Sequence, residues 1–242
     1  MYCITDSRFC QFDYEQWVHY FKHNARHRLK IDFSEESRLS PDIRKLIFPS
    51  VSAFQKGEQS EGICLRRAAK EFAAEKSEAF YPEAVKWFIK EENMHSAYLA
   101  QYMKWHGVPR RQKNILDTFF RNMRRKSGIY SEVTVLITAE IIALSYYTAL
   151  GNVTGSQILK QICRQMLHDE LPHVIFQSYT LSHFKKSTRN TFERIFLMRL
   201  SCRAVWTVYG NVFRAGGYTY RRFLSDSMKY LRQSFILSEK MR

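Results

Sequence analysis

The chain has 242 residues, of which 45% are hydrophobic and 15% aromatic, so it is long and apolar enough to bury a sizeable core. Only 9 glycines and 5 prolines occur, which excludes the many turns of an all-β protein and predicts an all-α fold. The formal net charge of +15 favours polyanionic partners, although a solvated basic surface is an equally good interpretation.

Apolar periodicity, helix caps and helix breakers predict a succession of helices along the chain. Ser40 and Pro41 form a cap-then-proline start, and Pro49 is expected to end that short helix. The segment 110–126 is strongly basic and is the best candidate for a docking patch. In chain order, the predicted helices span residues 14–29, 41–48, 50–75, 82–106, 112–126, 131–150, 156–184, 187–214 and 218–237.

No low-complexity linker separates these helices, so we expect one domain over residues 1–242, with a core bundle at about 50–184 and C-terminal helices at about 187–237. Five scattered cysteines without a C-x-x-C pair are typical of a reducing cytoplasm. Because the N-terminus lacks the pattern of a signal peptide, we expect a cytoplasmic protein. The most apolar window, 133–150, contains Glu140 and is interpreted as a buried helix, with no membrane span.

Two E-x-x-H elements, Glu92–His95 and Glu170–His173, each lie inside a predicted helix. Because residues three apart share one helix face, each element can present a carboxylate and an imidazole to the same ion. Glu61 lies 31 residues before Glu92, and Glu140 lies 30 residues before Glu170. The chain therefore carries two copies, 78 to 79 residues apart, of a glutamate-bearing helix followed by an E-x-x-H helix. Single glutamates on two helices and Glu-x-x-His on two others are the ligand set of di-iron carboxylate bundles.

Two of these glutamates leave alternatives open. Glu140 is the only carboxylate between Val133 and Leu150, and a buried carboxylate must be paired, protonated or bound to a metal. A salt bridge to an arginine is the alternative to a metal. Glu61 shares a helix face with apolar residues, as a ligand facing the core should. Glu58, one turn earlier, lies on an overlapping face and is the alternative first ligand.

A further carboxylate precedes each E-x-x-H element, Glu91 in the first and Asp169 in the second. Metal-bound histidines usually donate their second ring proton to a carboxylate. We therefore expect Asp169 to orient His95, and Glu91 to orient His173, across the bundle. A solvent-facing charge is the alternative for Glu91. His168 is expected to face away from the ligands unless its helix bulges and turns it inward, which would make it a further ligand.

The segment Trp87–His95, with the sequence WFIKEENMH, resembles the W-x-x-x-E-E-N-x-H helix of the soluble acyl-acyl carrier protein desaturases. The segment Asp169–His173, DELPH, is similar to their second motif, D-E-x-x-H. The resemblance covers about residues 50–184 and implies a ferritin-like four-helix bundle with additional flanking helices at both ends. It departs at Ala143 and Leu144, where desaturases and related monooxygenases usually carry a threonine. The iron ligands that it implies are Glu61, Glu92, His95, Glu140, Glu170 and His173.

The resemblance implies a non-haem di-iron oxidoreductase that activates O2 to hydroxylate or desaturate an organic substrate, and an acyl chain on an acidic carrier protein would suit the charge of +15. A tRNA-modifying di-iron hydroxylase suits the charge equally well, and a ferritin-like or rubrerythrin-like protein that handles iron or peroxide is a third hypothesis. Without a rubredoxin-like cysteine site, electrons would come from a separate donor such as a ferredoxin. The same ligands can hold manganese or a mixed manganese and iron pair, and a homodimer is compatible with each hypothesis.

Overall fold

Residues 3–59, 62–110 and 128–241 are described by the computed structural model of the chain, and their regular elements are all helical. The prediction of an all-α fold is therefore confirmed over these ranges. Two short 3-10 helices, Ile4–Asp6 and Arg8–Gln11, precede eight α-helices in this part of the chain. The α-helices are α1 (Tyr14–Arg26), α2 (Pro41–Glu58), α3 (Ile63–Lys76), α4 (Tyr81–Trp105), α5 (Ile129–Val153), α6 (Gln157–Ser182), α7 (Thr188–Ala215) and α8 (Tyr220–Lys240).

Most of the predicted helices agree with these bounds to within a few residues, because polar caps define their first turns. The side chain that precedes α1, α6, α7 and α8 accepts a hydrogen bond from a backbone N–H of the first turn, which would otherwise lack a partner. These caps are Asp13, Ser156, Ser187 and Thr219. The predicted helix at 112–126 lies outside the described residues, as does the basic segment 110–126 apart from Arg110.

Helix α2 continues through Pro49, so the prediction that this proline ends the helix is wrong. Proline lacks a backbone N–H and removes one hydrogen bond from a helix interior. Phe48 and Val51, on either side of it, are buried in the hydrophobic core. Their packing offsets the lost hydrogen bond, since most helix stability in proteins comes from tertiary contacts rather than from intrinsic propensity.

The chain turns instead at Gly62, so the predicted helix at 50–75 is in fact two helices, α2 and α3. Gly62 has a φ angle of 64°, a left-handed conformation that favours glycine. A Cβ atom at this position would lie 2.3 Å from Cδ1 of Ile89 on α4. The glycine thus permits both the turn and the close approach of the chain to α4.

Four helices surround the interior that holds the predicted ligands of the described ranges. Helix α2 packs along α4, α4 packs against α6, and α6 packs along α5. Tyr146 of α5 donates a hydrogen bond of 3.0 Å to Ser50 of α2, which closes the ring of contacts. Helix α1 covers α4, while α7 packs on α5 and α8 packs on α6.

Helix α5 is long and apolar enough to cross a membrane by its length and composition alone. In its most apolar 18-residue stretch, 83% of the residues are buried inside the protein. Its apolar character continues around the whole helix, which is usual for a helix at the centre of a core. Glu140 lies near the middle of this helix and is 4% exposed.

Candidate metal centre

Eight ionisable side chains from α2, α4, α5 and α6 lie together in the interior between these helices. Helices α4 and α6 each contribute two adjacent carboxylates and a histidine that follows the second carboxylate by three residues. Both imidazoles are completely buried. The eight side chains are Glu58 of α2, Glu91, Glu92 and His95 of α4, Glu140 of α5, and Asp169, Glu170 and His173 of α6.

The two imidazoles share the same two glutamates. Nδ1 of His95 lies 3.6 Å from Oε1 of Glu92 and 3.5 Å from Oε1 of Glu170. Nδ1 of His173 lies 3.1 Å from Oε1 of Glu92 and 3.4 Å from Oε2 of Glu170. In addition, the potential ligand atoms of Glu58, Glu92, His95 and Glu170 all lie within 4.8 Å of one another. A single cation could contact all four groups. His173 lies beside two of them, Glu92 and Glu170.

The outer nitrogen of each imidazole is held by a carboxylate from the opposite helix. Nε2 of His95 lies 3.0 Å from Oδ2 of Asp169, and Nε2 of His173 lies 2.7 Å from Oε2 of Glu91. These are the two pairs expected from the sequence. Glu91 is only 9% exposed, so the alternative of a solvent-facing charge is wrong. The two contacts leave both Nδ1 atoms facing the interior of the cluster.

Five polar atoms of this cluster are buried without a hydrogen-bond partner, although four of them lie within ion-pair distance of one another. Leaving such an atom unsatisfied costs about 1–3 kcal/mol in a protein interior, so five of them in one place need an explanation. A bound cation would satisfy them all, because each is a lone-pair donor of a kind that iron, manganese or zinc accepts. The five atoms are Nδ1 of His95, Nδ1 of His173, and one carboxylate oxygen each of Glu92, Glu140 and Glu170.

The cluster also carries an excess of negative charge. Six of its members are carboxylates, and its two histidines could contribute at most two positive charges. Within the described residues, these carboxylates form ion pairs with histidines alone. An arginine partner for Glu140, the alternative to a metal, is therefore not found there. If all six carboxylates are ionised, at least four negative charges are left (6 − 2 = 4), and two divalent cations would neutralise them.

Burial and mutual repulsion alter the protonation of the metal-free cluster. Burial raises the pKa of Glu58 and of Glu140 well above the ordinary value, and the nearby charges of Glu92 and Glu170 raise both further. Burial alone would lower the pKa of His95, but its hydrogen bond to Asp169 and the surrounding glutamates raise that pKa well above the ordinary value. The carboxylates around His173 raise its pKa in the same way, again against the effect of burial. Protons therefore compete with cations for these ligands.

Two alternative ligands named from the sequence are placed differently. Glu58 is 8% exposed and belongs to the cluster, whereas Glu61 lies outside the described residues. The side chain of His168 is 68% exposed and does not face the cluster. Its Nδ1 lies 2.9 Å from Oδ1 of Asp169, and Gln165 donates to the same carboxylate at 2.9 and 3.0 Å. His168 and Gln165 thus help to fix Asp169.

Two uncharged side chains that hold ligands were missed from the sequence. Tyr147 donates a hydrogen bond of 2.6 Å to Oε1 of Glu58, and Nε2 of Gln177 lies 3.5 Å from Oε1 of Glu140. Tyr147 lies seven residues after Glu140, and Gln177 lies four residues after His173. Both spacings place the side chain on the ligand face of its helix, so the same periodicity that found the ligands could have found these partners.

Comparisons of the chain with protein-family models, with curated proteins and with solved structures give no match.

Proposed function

We propose that the chain is a non-haem di-iron oxidoreductase that activates O2 to oxidise an organic substrate. The observation that carries this proposal is the set of unsatisfied ligand atoms in a buried, acidic cluster. Both inward imidazole nitrogens and three carboxylate oxygens lack hydrogen-bond partners. In the described ranges, the ion pairs of Glu92 and Glu170 are with these histidines and not with lysine or arginine. Two divalent cations would supply both the missing ligand contacts and the missing charge.

Each cation would be held by one imidazole and by carboxylates from neighbouring helices. Glu92 and Glu170 border both imidazoles, so they would contact both cations. Glu58 lies close to His95, so it would be a ligand of the cation that His95 binds. Glu140 interacts with His173, so it would be a ligand of the other cation. This assignment gives single glutamates on α2 and α5 and Glu-x-x-His on α4 and α6, which is the ligand pattern of ferritin-like di-iron bundles.

Two iron ions in such a ligand set supply the one-electron and O2 chemistry that side chains alone cannot perform. The protein's part is to bind, to orient and to exclude water. Asp169 and Glu91 hold a proton on Nε2 of the two histidines, which fixes their orientation and leaves Nδ1 free as a ligand. Tyr147 restrains Glu58. The complete burial of both imidazoles keeps bulk water from the ligand atoms, which suppresses side reactions of a strong oxidant.

Substrate and electron donor belong to the same proposal. The charge of +15 suits a substrate presented on an acidic carrier protein, and a tRNA would suit it equally. The five cysteines are free and Cys163 and Cys202 are buried, so electrons would come from a separate donor such as a ferredoxin. Free thiols are also what a reducing cytoplasm maintains.

Metal analysis with variants tests the proposal. Protein reconstituted anaerobically with Fe²⁺ and desalted is expected to retain about two iron ions per chain, the number that neutralises the surplus charge. His95→Ala and His173→Ala should each lose at least one ion. His106→Ala is the matched control, because His106 is a buried histidine of α4's C-terminal end that lies outside the cluster. Equal iron contents in all four proteins would reject the centre.

Oxygen uptake by the loaded, reduced protein then separates the functions. A substrate oxidase consumes O2 repeatedly only when electrons and an organic substrate are supplied. A protein that stores iron would instead accumulate ions far beyond two per chain during aerobic loading, and a peroxide-handling protein would turn over with H2O2. Replacing Glu58 and Glu61 separately by alanine, with iron content as the readout, identifies which of them serves the first position.

A further inference from the structure

Helix α7 contains a buried arginine without a carboxylate partner. Arg194 is 4% exposed, and its guanidinium lies 4.3 Å from the ring centroid of Phe235. Its NH2 group donates a hydrogen bond of 2.7 Å to Oγ of Ser234, while Nε is buried without a partner. Among the described residues, no ion pair of Arg194 is found.

This guanidinium remains charged at neutral pH. Burial lowers the pKa of Arg194 to about 10, which is still well above physiological pH. A buried charge without a counter-ion is costly, and arginine is the side chain whose planar fork best matches phosphate and carboxylate oxygens. The unsatisfied Nε therefore indicates a missing anion rather than a missing neutral partner.

Arg194 lines a cavity of about 50 Å³ at the meeting point of α5, α6, α7 and α8. Lys185, Lys186 and Tyr130 lie in the same wall, and the hydroxyl of Tyr130 is also buried without a hydrogen-bond partner. Among the described residues that line the cavity, only Glu239 carries a carboxylate, and it is bound to Lys186. Three cations against one carboxylate give the cavity wall a net charge of +2 (3 − 1).

The N-terminus of α7 adds partial positive charge to the same wall. Ser187, the N-cap of this 28-residue helix, and Asn190 in its first turn both line the cavity. Unpaired N–H groups and the helix dipole make such a terminus favourable for an anion. Arg194 is the independent feature, because it is a buried, charged side chain that lines the cavity and keeps its Nε without a hydrogen-bond partner.

We propose that this cavity is an anion site that binds a phosphate group. The wall offers donors from a guanidinium, two ammonium groups, a phenol and a helix terminus, and its charge matches a phosphate dianion better than a single carboxylate. The site is separate from the metal centre: Tyr130 precedes Glu140 by ten residues of α5, a distance of about 15 Å along a helix. Phosphate binding at this site therefore does not depend on the di-iron function. The ligand is either free phosphate or the phosphate end of a larger molecule.

Thermal unfolding and calorimetry at fixed pH and ionic strength test the site. Sodium phosphate is titrated against sodium chloride, and glycerol 3-phosphate serves as a second arm. Phosphate at about 100 times its Kd is expected to raise the Tm of the wild type by about 5 °C or more, whereas chloride should not. Tighter binding of inorganic phosphate would indicate a free-phosphate site, and tighter binding of the ester would indicate a phosphorylated organic ligand.

The variant Arg194→Met tests whether phosphate binds at this cavity. This variant should bind phosphate about tenfold more weakly or worse, since one charge-assisted contact is lost. Without phosphate its Tm should equal or exceed that of the wild type, because an uncompensated buried charge has been removed. A merely structural arginine would instead give a lower Tm at every phosphate concentration. Arg199→Met, an exposed position of the same helix outside the cavity, should behave like the wild type.

Lys185→Met gives a second test that does not depend on a buried position. Lys185 is exposed and lines the cavity, so this variant should fold normally and bind phosphate several-fold more weakly. The proposal is overturned if phosphate and chloride act alike on the wild type. It is equally overturned if Arg194→Met or Lys185→Met keeps the wild-type Kd, because phosphate would then bind elsewhere, for example at bound iron.

Discussion

At the scale of single residues, the two buried histidines are held in a reciprocal arrangement. His95 of α4 is oriented by Asp169 of α6, and His173 of α6 is oriented by Glu91 of α4. A proton on Nε2 satisfies each carboxylate, and the neutral ring then carries its lone pair on Nδ1. The same residues that bind the two helices together thus also determine which nitrogen is available to a cation.

Asp169→Asn tests this coupling between orientation and affinity. The amide can still accept a hydrogen bond from His95, but it no longer carries the charge that makes the imidazole a stronger ligand. We expect affinity for Fe²⁺ or Mn²⁺ to fall about 10- to 100-fold, as for other carboxylates behind metal-bound histidines. Competition with a chelating dye measures it. Asp226→Asn, at a half-buried aspartate of α8 beside Arg222, is the control, and an equal effect in both variants would contradict the role of Asp169.

Metal binding should release protons from the ligands. The pKa of Glu58 and the pKa of Glu140 are raised by burial, and the pKa of His95 and that of His173 are raised by the surrounding carboxylates. A cation binds only the deprotonated forms, so apparent affinity should rise with pH and fall as these groups become protonated. Calorimetry in two buffers of different ionisation enthalpy counts the protons released. Zero release, or proton uptake, would show that the ligand assignment is wrong.

Spacing alone predicted much of this site. Residues three apart in a helix must share a face, so each E-x-x-H element necessarily presents its carboxylate and imidazole together. The cross-helix pairs followed from the carboxylate that precedes each element. The position of Glu58 could not be decided in the same way, because a face-based prediction needs the end of the helix. Helix α2 ends at Glu58, a boundary that depends on a glycine turn and on packing against α4.

At the scale of helices, tertiary packing decided where the chain breaks at two positions, Pro49 and Gly62. Pro49 was predicted to end a helix and does not, since its neighbours are buried. Gly62 was not predicted to interrupt a helix and does, since it adopts a left-handed conformation against Ile89. Both errors concern residue types that often break helices, and in each case the surrounding structure determines whether the helix continues. That choice depends on long-range contacts that the local sequence does not contain.

The role of Gly62 can be separated from glycine flexibility in general. Gly62→Ala should lower the free energy of unfolding by about 1–3 kcal/mol, because alanine is strained at a positive φ angle and its Cβ meets Ile89. Gly57→Ala lies five residues earlier, inside α2, and has no atom within 4 Å of its new Cβ. It should raise the free energy of unfolding by about 0.5–1 kcal/mol. Chemical denaturation measures both, and a change of the same sign in both would refute a specific turn at Gly62.

At the scale of the whole molecule, charge is distributed unevenly between interior and surface. The chain carries 38 lysines and arginines against 23 aspartates and glutamates, yet the buried cluster contains six carboxylates and no lysine or arginine among the described residues. An acidic interior inside a basic protein is unfavourable unless cations occupy it. The cluster should therefore destabilise the metal-free protein and stabilise the loaded one, so stability and metal content are linked.

Glu140 is the best position at which to measure that link, because it sits in the apolar helix α5 and keeps one oxygen unsatisfied. Glu140→Met should stabilise the metal-free protein by roughly 1–3 kcal/mol, since a buried polar group is replaced by an apolar one of similar size. In the presence of saturating Mn²⁺ it should unfold at a lower temperature than the wild type, because a ligand is missing. Glu132→Met, at a buried glutamate two turns earlier in α5, should shift both forms equally. The order of wild type and Glu140→Met must therefore reverse between chelator and metal, and thermal unfolding curves that keep the same order would mean that Glu140 is not a ligand.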